Sequence, residues 1–213
     1  MIKAVMTNPY ALMHEGEKIN RLFESGMDLL HIRKPKLGKD DIRNLLEQID
    51  PQYLDRVILH NRFALAGEYK VRGVHLSPSD RDNVWVKNFV VSGLRIKNPN
   101  LLLSSSYSKP RSLRSLMDGL THVLLGPVYG VQPNPQIMFK KSSIEDVRKY
   151  IEKSPIPAVA MGGISLEVMP FIRQAGFQGI CLQRAVWKTV NPVDSFLECI
   201  SSFENCEEKA LRG

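Results

Sequence analysis

Cysteine is scarce in this 213-residue sequence, and the three that occur follow no ligand pattern. Cys181, Cys199 and Cys206 are an odd number without metal-binding spacing, which argues against a disulfide framework and against a cysteine zinc site. Cys181 lies within an apolar run and is expected to be a small buried hydrophobic residue.

Long hydrophobic runs and linker-like segments are also missing. No run approaches the length of a membrane span, and the amino terminus has no signal-like apolar core. We therefore expect a protein of the reducing cytoplasm with no membrane association. Because no stretch rich in Pro, Gly and Ser interrupts the chain, we also expect a single domain over residues 1–213.

Acidic residues are fewer than basic ones, at 22 against 29, which gives a net charge of +7. A positive balance favours anionic partners. The basic residues are scattered, however, and lack the interleaved aromatic residues of a nucleic-acid surface. We expect small phosphorylated ligands as partners, and no nucleic acid.

Short apolar strands alternate with amphipathic helices along the whole chain. The predicted strands lie at 3–7, 29–33, 57–60, 74–76, 101–103 and 122–126, and two more begin at Ala158 and Gly179. The predicted helices lie at 15–25, 39–49, near 63, within 109–118, at 144–152, 166–175 and 193–206. Eight such units in a chain of this length predict an α/β fold in which a parallel sheet closes into a (β/α)8 TIM barrel, rather than an open doubly wound sheet. Residues 81–100 are the exception, because Val84–Val86 and Phe89–Val91 resemble extended segments and predict a short or missing helix.

The last two strands end in residues suited to binding a phosphate. Gly162 and Gly163 follow the seventh strand, and Gln183 and Arg184 follow the eighth. In parallel barrels the loops after these strands commonly hold phosphate, and glycine lets backbone amides approach the anion. A tight turn is the alternative explanation for the two glycines.

Polar residues follow most of the other strands, and in a barrel these positions converge on one opening. They include Arg33 and Lys34 at the end of the second strand, Asn61 after the third, Asp80 after the fourth and Ser105 after the fifth. Cations, neutral donors and one carboxylate predict an anion pocket, with Asp80 as a Mg²⁺ ligand beside substrate phosphates.

Each of these residues also has a purely structural interpretation. Arg33 and Lys34 also fit a solvated basic loop, and Asp80 also fits a cap on the following turn. His31 and His75 lie within strands and favour hydrogen-bonded interior positions, whereas His60 lies nearer the opening.

Six motifs in order carry a family resemblance. They are Leu30-His31-Ile32-Arg33-Lys34, Leu59-His60-Asn61-Arg62, Gly73-Val74-His75-Leu76 through Asp80, Ser104-Ser105-Ser106-Tyr107-Ser108, Leu125-Gly126-Pro127-Val128-Tyr129 and Ala160-Met161-Gly162-Gly163-Ile164. Together they resemble the thiamine-phosphate synthase and TenI family over about residues 3–203. The resemblance implies an eight-stranded barrel that uses Mg²⁺ to join 4-amino-5-hydroxymethyl-2-methylpyrimidine pyrophosphate to thiazole phosphate, releasing pyrophosphate.

The resemblance also assigns roles to single residues. The family's Arg-Glu-Lys pyrophosphate clamp falls on Arg33, Lys34 and Pro35, and its second metal carboxylate falls on Asp80. Its first metal carboxylate falls on Asn61, and its serine after strand five falls on Ser105. The lysine that ends the family's strand-six loop has no counterpart before Lys140 and Lys141.

Three functions remain open at this point. The first is the synthase reaction, with Arg33, Lys34, Asn61 and Ser105 acting on the pyrophosphate and Gly162, Gly163, Gln183 and Arg184 holding the thiazole phosphate. The second is the thiazole tautomerase reaction of the TenI branch, whose strand-six histidine falls on Pro127. The third is a barrel that binds thiazole phosphate without turnover. A homodimer is expected by family analogy alone.

Overall fold

A computed structural model describes residues 1–129 and 143–210, and the side chains of residues 1–129 and 143–205. Within these residues, eight parallel strands close into a barrel in the order of the chain, with β8 pairing β1. The strands are β1 (Ile2–Met6), β2 (Leu29–Ile32), β3 (Val57–Leu59), β4 (Gly73–Leu76), β5 (Leu102–Tyr107), β6 (His122–Leu125), β7 (Ala158–Met161) and β8 (Gly179–Leu182). The predicted (β/α)8 barrel is confirmed, while the predicted domain limits of 1–213 stay a prediction.

Helices cover the outside of this barrel. They are α1 (Glu15–Glu24), α2 (Lys39–Glu47), α3 (Ala64–Glu68), α4 (Pro78–Asp82), α5 (Ser92–Lys97), α6 (Ile144–Glu152), α7 (Met169–Gln174), α8 (Arg184–Trp187) and α9 (Pro192–Ala210). Most follow the predicted positions, because their apolar residues recur on one face and bury against the strands. In α1, for example, Ile19, Leu22 and Phe23 are buried.

Side chains of the strands alternate between the barrel interior and the helix layer. Alternate positions of β1, β6, β7 and β8 supply a small interior cluster that contains Ala4, Met6, Leu124, Val159 and Cys181. The intervening positions join the larger core between strands and helices. This alternation follows from the two-residue period of a strand, and it decides which polar residues reach the opening of the barrel.

The prediction of extended structure at Val84–Val86 and Phe89–Val91 is wrong. The chain forms a π-helix over Val86–Val91 that continues into α5. Valine has low helix propensity, which favoured the extended interpretation. Burial overrides propensity here, because Val86 and Val91 are five residues apart and a π-helix brings that spacing to one face.

The helix predicted within residues 109–118 is reduced to a 3₁₀ turn over Pro110–Arg114. Helix α8 was not predicted, since four residues are too few to show a periodic pattern. Among the described residues, no helix combines the length and the apolar character needed to cross a bilayer.

Candidate active site

A cavity of about 640 Å³ opens where the carboxyl ends of the strands meet. Every strand contributes to its lining, either from its last residues or from the loop after it. The contributors, in strand order, include Met6, Arg33, His60, His75, Ser106, Pro127, Met161 and Cys181. The predicted phosphate residues Gly162, Gly163, Gln183 and Arg184 also line it. The barrel therefore brings Arg33 and the glycine loop to one cavity.

The loop at residues 162–165 presents unused backbone donors. The carbonyl oxygen of Gly162 is hydrogen-bonded, since it accepts from the N–H groups of Val128 at 3.1 Å and Tyr129 at 3.3 Å. The N–H groups of residues 162–165 donate to no partner in the part of the chain that the structure describes. All four residues line the cavity, and such a concave run of free amides suits an anion. We call residues 162–165 the phosphate loop.

Both glycines are required by the backbone. Gly162 has φ 81° and Gly163 has φ 71°, in the left-handed region that favours glycine. A Cβ atom on Gly162 would lie 2.9 Å from Pro127 Cβ, and a Cβ atom on Gly163 would overlap the carbonyl oxygen of Tyr129. The close contact between the phosphate loop and the loop after β6 therefore excludes any side chain.

Gln183 and Arg184 form the other side of this phosphate site. Gln183 accepts hydrogen bonds on its carbonyl from the N–H groups of Val186 and Trp187, which begins α8, and its side-chain amide donates to Thr7 O at 3.0 Å. Trp187 in turn donates from Nε1 to Met6 O at 2.7 Å. These bonds fix the turn, so that Arg184 is held at the cavity with an exposed side chain.

Arg33 and Lys34 point in opposite directions. Arg33 is exposed and lines the cavity, as predicted for an anion-binding residue. Lys34 is fully buried on the helix side, where Nζ lies 2.6 Å and 2.7 Å from the two carboxylate oxygens of Glu15 in α1 and donates to Tyr10 O at 2.7 Å. Burial lowers the pKa of Lys34 and raises the pKa of Glu15, while their contact opposes both shifts. The predicted role of Lys34 in the anion site is therefore corrected, because its ammonium serves a buried ion pair.

Ser105 also lies on the helix side of the barrel. Its Oγ donates to Leu76 O at 2.7 Å and accepts from Arg81 at 2.9 Å. The residue that lines the cavity is its neighbour Ser106, whose Oγ lies 2.8 Å from His75 Nε2. The serine at the cavity is therefore Ser106, one position after the predicted Ser105, and the two residues face opposite sides of β5.

Asp80 and Asn61 do not line the cavity. The Asp80 carboxylate forms a capping box at the start of α4, where Oδ2 accepts from Ser77 N at 3.0 Å and Ser77 Oγ at 2.5 Å. Asn61 is half-buried, and its Oδ1 has no partner among the described residues. The structural alternative given above for Asp80 is therefore the one observed.

The Mg²⁺ that the resemblance implies does not fit these residues. Magnesium prefers carboxylate and other oxygen ligands, and no Asp or Glu lies among the described residues that line the cavity. The carboxylate predicted to bind it is used for capping. The cavity floor offers imidazole nitrogens instead, from His60 and His75.

The histidines at the floor of the cavity were predicted in part from the sequence. His31 and His75 are buried and hydrogen-bonded, as expected for interior residues. Burial, with nearby imidazoles, lowers the pKa of His31 and His60 well below the ordinary value, and burial lowers the pKa of His75 to about 3 and of His122 to about 4. The sequence analysis missed His122 and Ser106, although alternation along the strands signals both. Lys140 and Lys141 lie outside the described residues.

The family model and the relatives that match this chain carry the same description. The family model described as "Thiamine monophosphate synthase" matches residues 5–186. The thiamine-phosphate synthase of Photorhabdus laumondii is 25% identical over 174 residues, which cover 80% of this chain and 77% of that protein. The thiamine-phosphate synthase of Synechocystis is 25% identical over 189 residues, and the match spans 86% of this chain and about half (52%) of that longer protein.

A solved structure shows the same architecture. The thiamine phosphate pyrophosphorylase of Bacteroides thetaiotaomicron superimposes with a TM-score of 0.73 at 22% identity, over 96% of this chain and 98% of that chain. At this identity the match establishes the barrel fold.

Proposed function

This chain belongs to the thiamine monophosphate synthase family, and we propose that it joins 4-amino-5-hydroxymethyl-2-methylpyrimidine pyrophosphate to thiazole phosphate, giving thiamine phosphate and pyrophosphate. The observation that carries the proposal is the phosphate loop, whose free amides share one cavity with Arg33 and Arg184. Two phosphorylated substrates need two anion-binding regions in one cavity, and this arrangement supplies them.

In this proposal the phosphate loop, Gln183 and Arg184 hold the thiazole phosphate and bring the thiazole nitrogen toward the centre of the cavity. Arg33, which follows β2 and lines the same cavity, stabilises negative charge on the pyrophosphate as its bond to the pyrimidine methylene carbon breaks. The thiazole nitrogen then forms a C–N bond to that carbon. Positioning and charge stabilisation are the contributions of the protein.

A covalent intermediate on the protein is not needed for this reaction. The one thiol that lines the described cavity belongs to Cys181, and burial raises its pKa to about 12. At neutral pH it stays protonated, which leaves it a poor nucleophile. Asn61, Ser105 and Lys34 are left out of the proposed binding set because their side chains do not line the cavity.

Neutral imidazoles at the cavity floor favour a second candidate, the thiazole tautomerase reaction. The TenI-branch histidine falls on Pro127, but His60 lines the same cavity and its low pKa keeps it neutral. A neutral imidazole both accepts and donates protons, which a tautomerisation requires. Binding of thiazole phosphate without turnover is the third outcome.

The remaining expectations are proposals of the same kind. Cys181 and Cys199 are free thiols, which fits a reducing cytoplasm. A homodimer rests on family analogy, and the scattered basic residues support small phosphorylated substrates over nucleic acid.

One set of incubations separates the three functions. Pure protein is incubated with both substrates, first with added Mg²⁺ and then with a chelator, and thiamine phosphate is measured by chromatography. Formation of thiamine phosphate supports the synthase. Isomerisation of thiazole carboxylate phosphate alone, without thiamine phosphate, favours the tautomerase. If neither product forms while thiazole phosphate raises the melting temperature, the protein binds without turnover.

A further inference from the structure

One half of the barrel interior is polar. The strands from β2 to β6 direct four histidines and two serines inward, namely His31, His60, His75, His122, Ser104 and Ser106. The other half carries the apolar cluster around Leu124 and Val159. Barrel interiors are usually filled by branched apolar side chains. A buried group of imidazoles is therefore a departure that packing alone does not explain.

The imidazoles are in direct contact with one another. His31 Nδ1 lies 2.9 Å from His60 Nε2, and the rings of His60 and His75 are stacked with centroids 4.0 Å apart. His31, His60 and His75 each offer one ring nitrogen within 4.8 Å of the other two. A tetrahedral zinc ion places its nitrogen ligands about 3.3 Å apart, given Zn–N bonds of about 2.0–2.1 Å. The three nitrogens lie within 4.8 Å of one another, so the rings must reorient for all three to bind one ion.

Two of the ring nitrogens lack partners. His31 Nε2 and His122 Nε2 are buried, and neither has a hydrogen-bond partner within residues 1–129 and 143–210. Native interiors satisfy almost all buried polar atoms, and an exception points to a bound water or ion. His31 is fully buried, and its ring packs edge-on against the rings of His60, His75 and His122.

The donor set selects the type of ion. Neutral imidazole is a ligand for zinc, cobalt, nickel, copper and iron, whereas Mg²⁺ requires oxygen ligands. Burial keeps these imidazoles in the neutral form that can bind a metal. Three protein nitrogens leave a fourth position open, as in catalytic zinc sites. Because His60 and His75 line the cavity, that position faces the space where the substrates would lie.

We propose that His31, His60 and His75 form a binding site for one divalent transition-metal ion of the zinc and cobalt type, at the floor of the cavity. Binding replaces the hydrogen bond between His31 and His60 and one of the two bonds from His75 to Ser104 and Ser106. The site stands independently of the synthase assignment, because its ligands are not the residues that hold the phosphates.

Cobalt provides a direct test, because Co²⁺ in a tetrahedral nitrogen site absorbs visible light strongly. Chelator-treated protein is titrated with Co²⁺, and absorption between about 500 and 650 nm is recorded; Zn²⁺ is then added to displace the cobalt. We expect a visible band that saturates at one Co²⁺ per chain and disappears on addition of one equivalent of Zn²⁺. Absence of the band in the unaltered protein would overturn the proposal, whatever the enzyme activity.

Matched variants locate the site. His60→Gln and His75→Gln should each weaken Co²⁺ binding at least tenfold, with near-ultraviolet circular dichroism confirming that each variant is folded. His14→Gln is the control, since His14 precedes α1, its side chain is 70% exposed, and it is not among the residues that line the cavity. Equal binding by the wild type, the two cavity variants and the control would assign the metal to the surface and refute the site. If one of the two cavity variants does not fold, the Co²⁺ affinity of the other one tests the site. If neither variant folds, the Co²⁺ titration of the wild type is the test.

Discussion

Substitution of Lys34 distinguishes a structural role of this residue from a role in binding an anion. Lys34→Met removes the ammonium and keeps an unbranched side chain. Glu15, whose side chain is 5% exposed, then retains only the N–H of Leu12 as a donor among the described residues, at 3.4 Å. Leaving one member of a buried ion pair without its partner costs about 3–5 kcal/mol. For a chain of this length, each kcal/mol lowers the melting temperature by about 2–4 °C, so we expect a decrease of about 6–20 °C.

The double variant Glu15→Met/Lys34→Met should recover most of this loss, because an apolar pair of similar volume needs no compensating charge. Urea denaturation measures the free energy of unfolding, and calorimetric titration with pyrophosphate measures the affinity for the anion that Lys34 was predicted to bind. Lys36→Met is the control, as Lys36 lies exposed in the same loop, with its ammonium over the ring of Tyr10. Unchanged stability of Lys34→Met together with lost pyrophosphate affinity would refute the ion-pair role and support the predicted role of Lys34 in the anion site.

Three further predictions follow from the site. Gly163→Ala should weaken binding of thiazole phosphate by about 10–100-fold in calorimetry. Gly26→Ala is the control: Gly26 has φ 93° but open space around it, so its substitution should only lower the free energy of unfolding, by about 1–2 kcal/mol. If Gly163→Ala binds thiazole phosphate as tightly as the wild type, the phosphate loop is contradicted. Ser105→Ala should lower the free energy of unfolding by about 1–2 kcal/mol without changing ligand affinity. Ser106→Ala, at the neighbouring position that lines the cavity, should change ligand affinity. With a chelator present, the unfolding free energy should fall as the pH drops below 6.5, since unfolded histidine binds a proton there and buried His122 does so only near a pKa of about 4. From about pH 7.5 to about pH 5 the loss due to His122 is about 2 kcal/mol, and His122→Gln should reduce the total loss by that amount in urea titrations; an unchanged pH slope would show that its imidazole is not buried neutral.

The barrel itself was predictable because its strands and helices carry strong periodic patterns. Apolar runs followed by amphipathic helices predicted the bounds of β1 to β4 and β6 within one or two residues, and the first residues of β7 and β8. The glycine pair was predictable as well, since two adjacent glycines after an apolar run require an unusual backbone. Both features are local, so the sequence contains the information that determines them.

The errors at Lys34 and Ser105 share one physical cause. Position along a strand determines which face a side chain occupies, and a shift of one residue reverses it. In β2, His31 and Arg33 face the interior, which places Lys34 toward α1 and Glu15. Strand β5 was predicted to end at Leu103 but continues to Tyr107, so the alternation was not extended to Ser105.

The histidine cluster required knowledge of three dimensions. His31, His60, His75 and His122 come from four strands, and only the closed barrel shows that their rings meet. Taken alone, His31 and His75 each resembled a single interior residue, and His60 resembled a residue near the opening. The partner of Lys34 was hidden for the same reason, because Glu15 lies 19 positions earlier and faces inward from α1. Pairings between distant elements depend on packing, which no local pattern records.

The phosphate loop is the claim on which the proposed function depends, and amide resonances test it directly. ¹⁵N-labelled protein is titrated with thiazole phosphate while the backbone N–H signals are followed. We predict that the amides of Gly163, Ile164 and Ser165 show the largest shifts, as free donors begin to bind the phosphate oxygens. Saturable binding that leaves these three signals unchanged and shifts amides elsewhere would contradict the account.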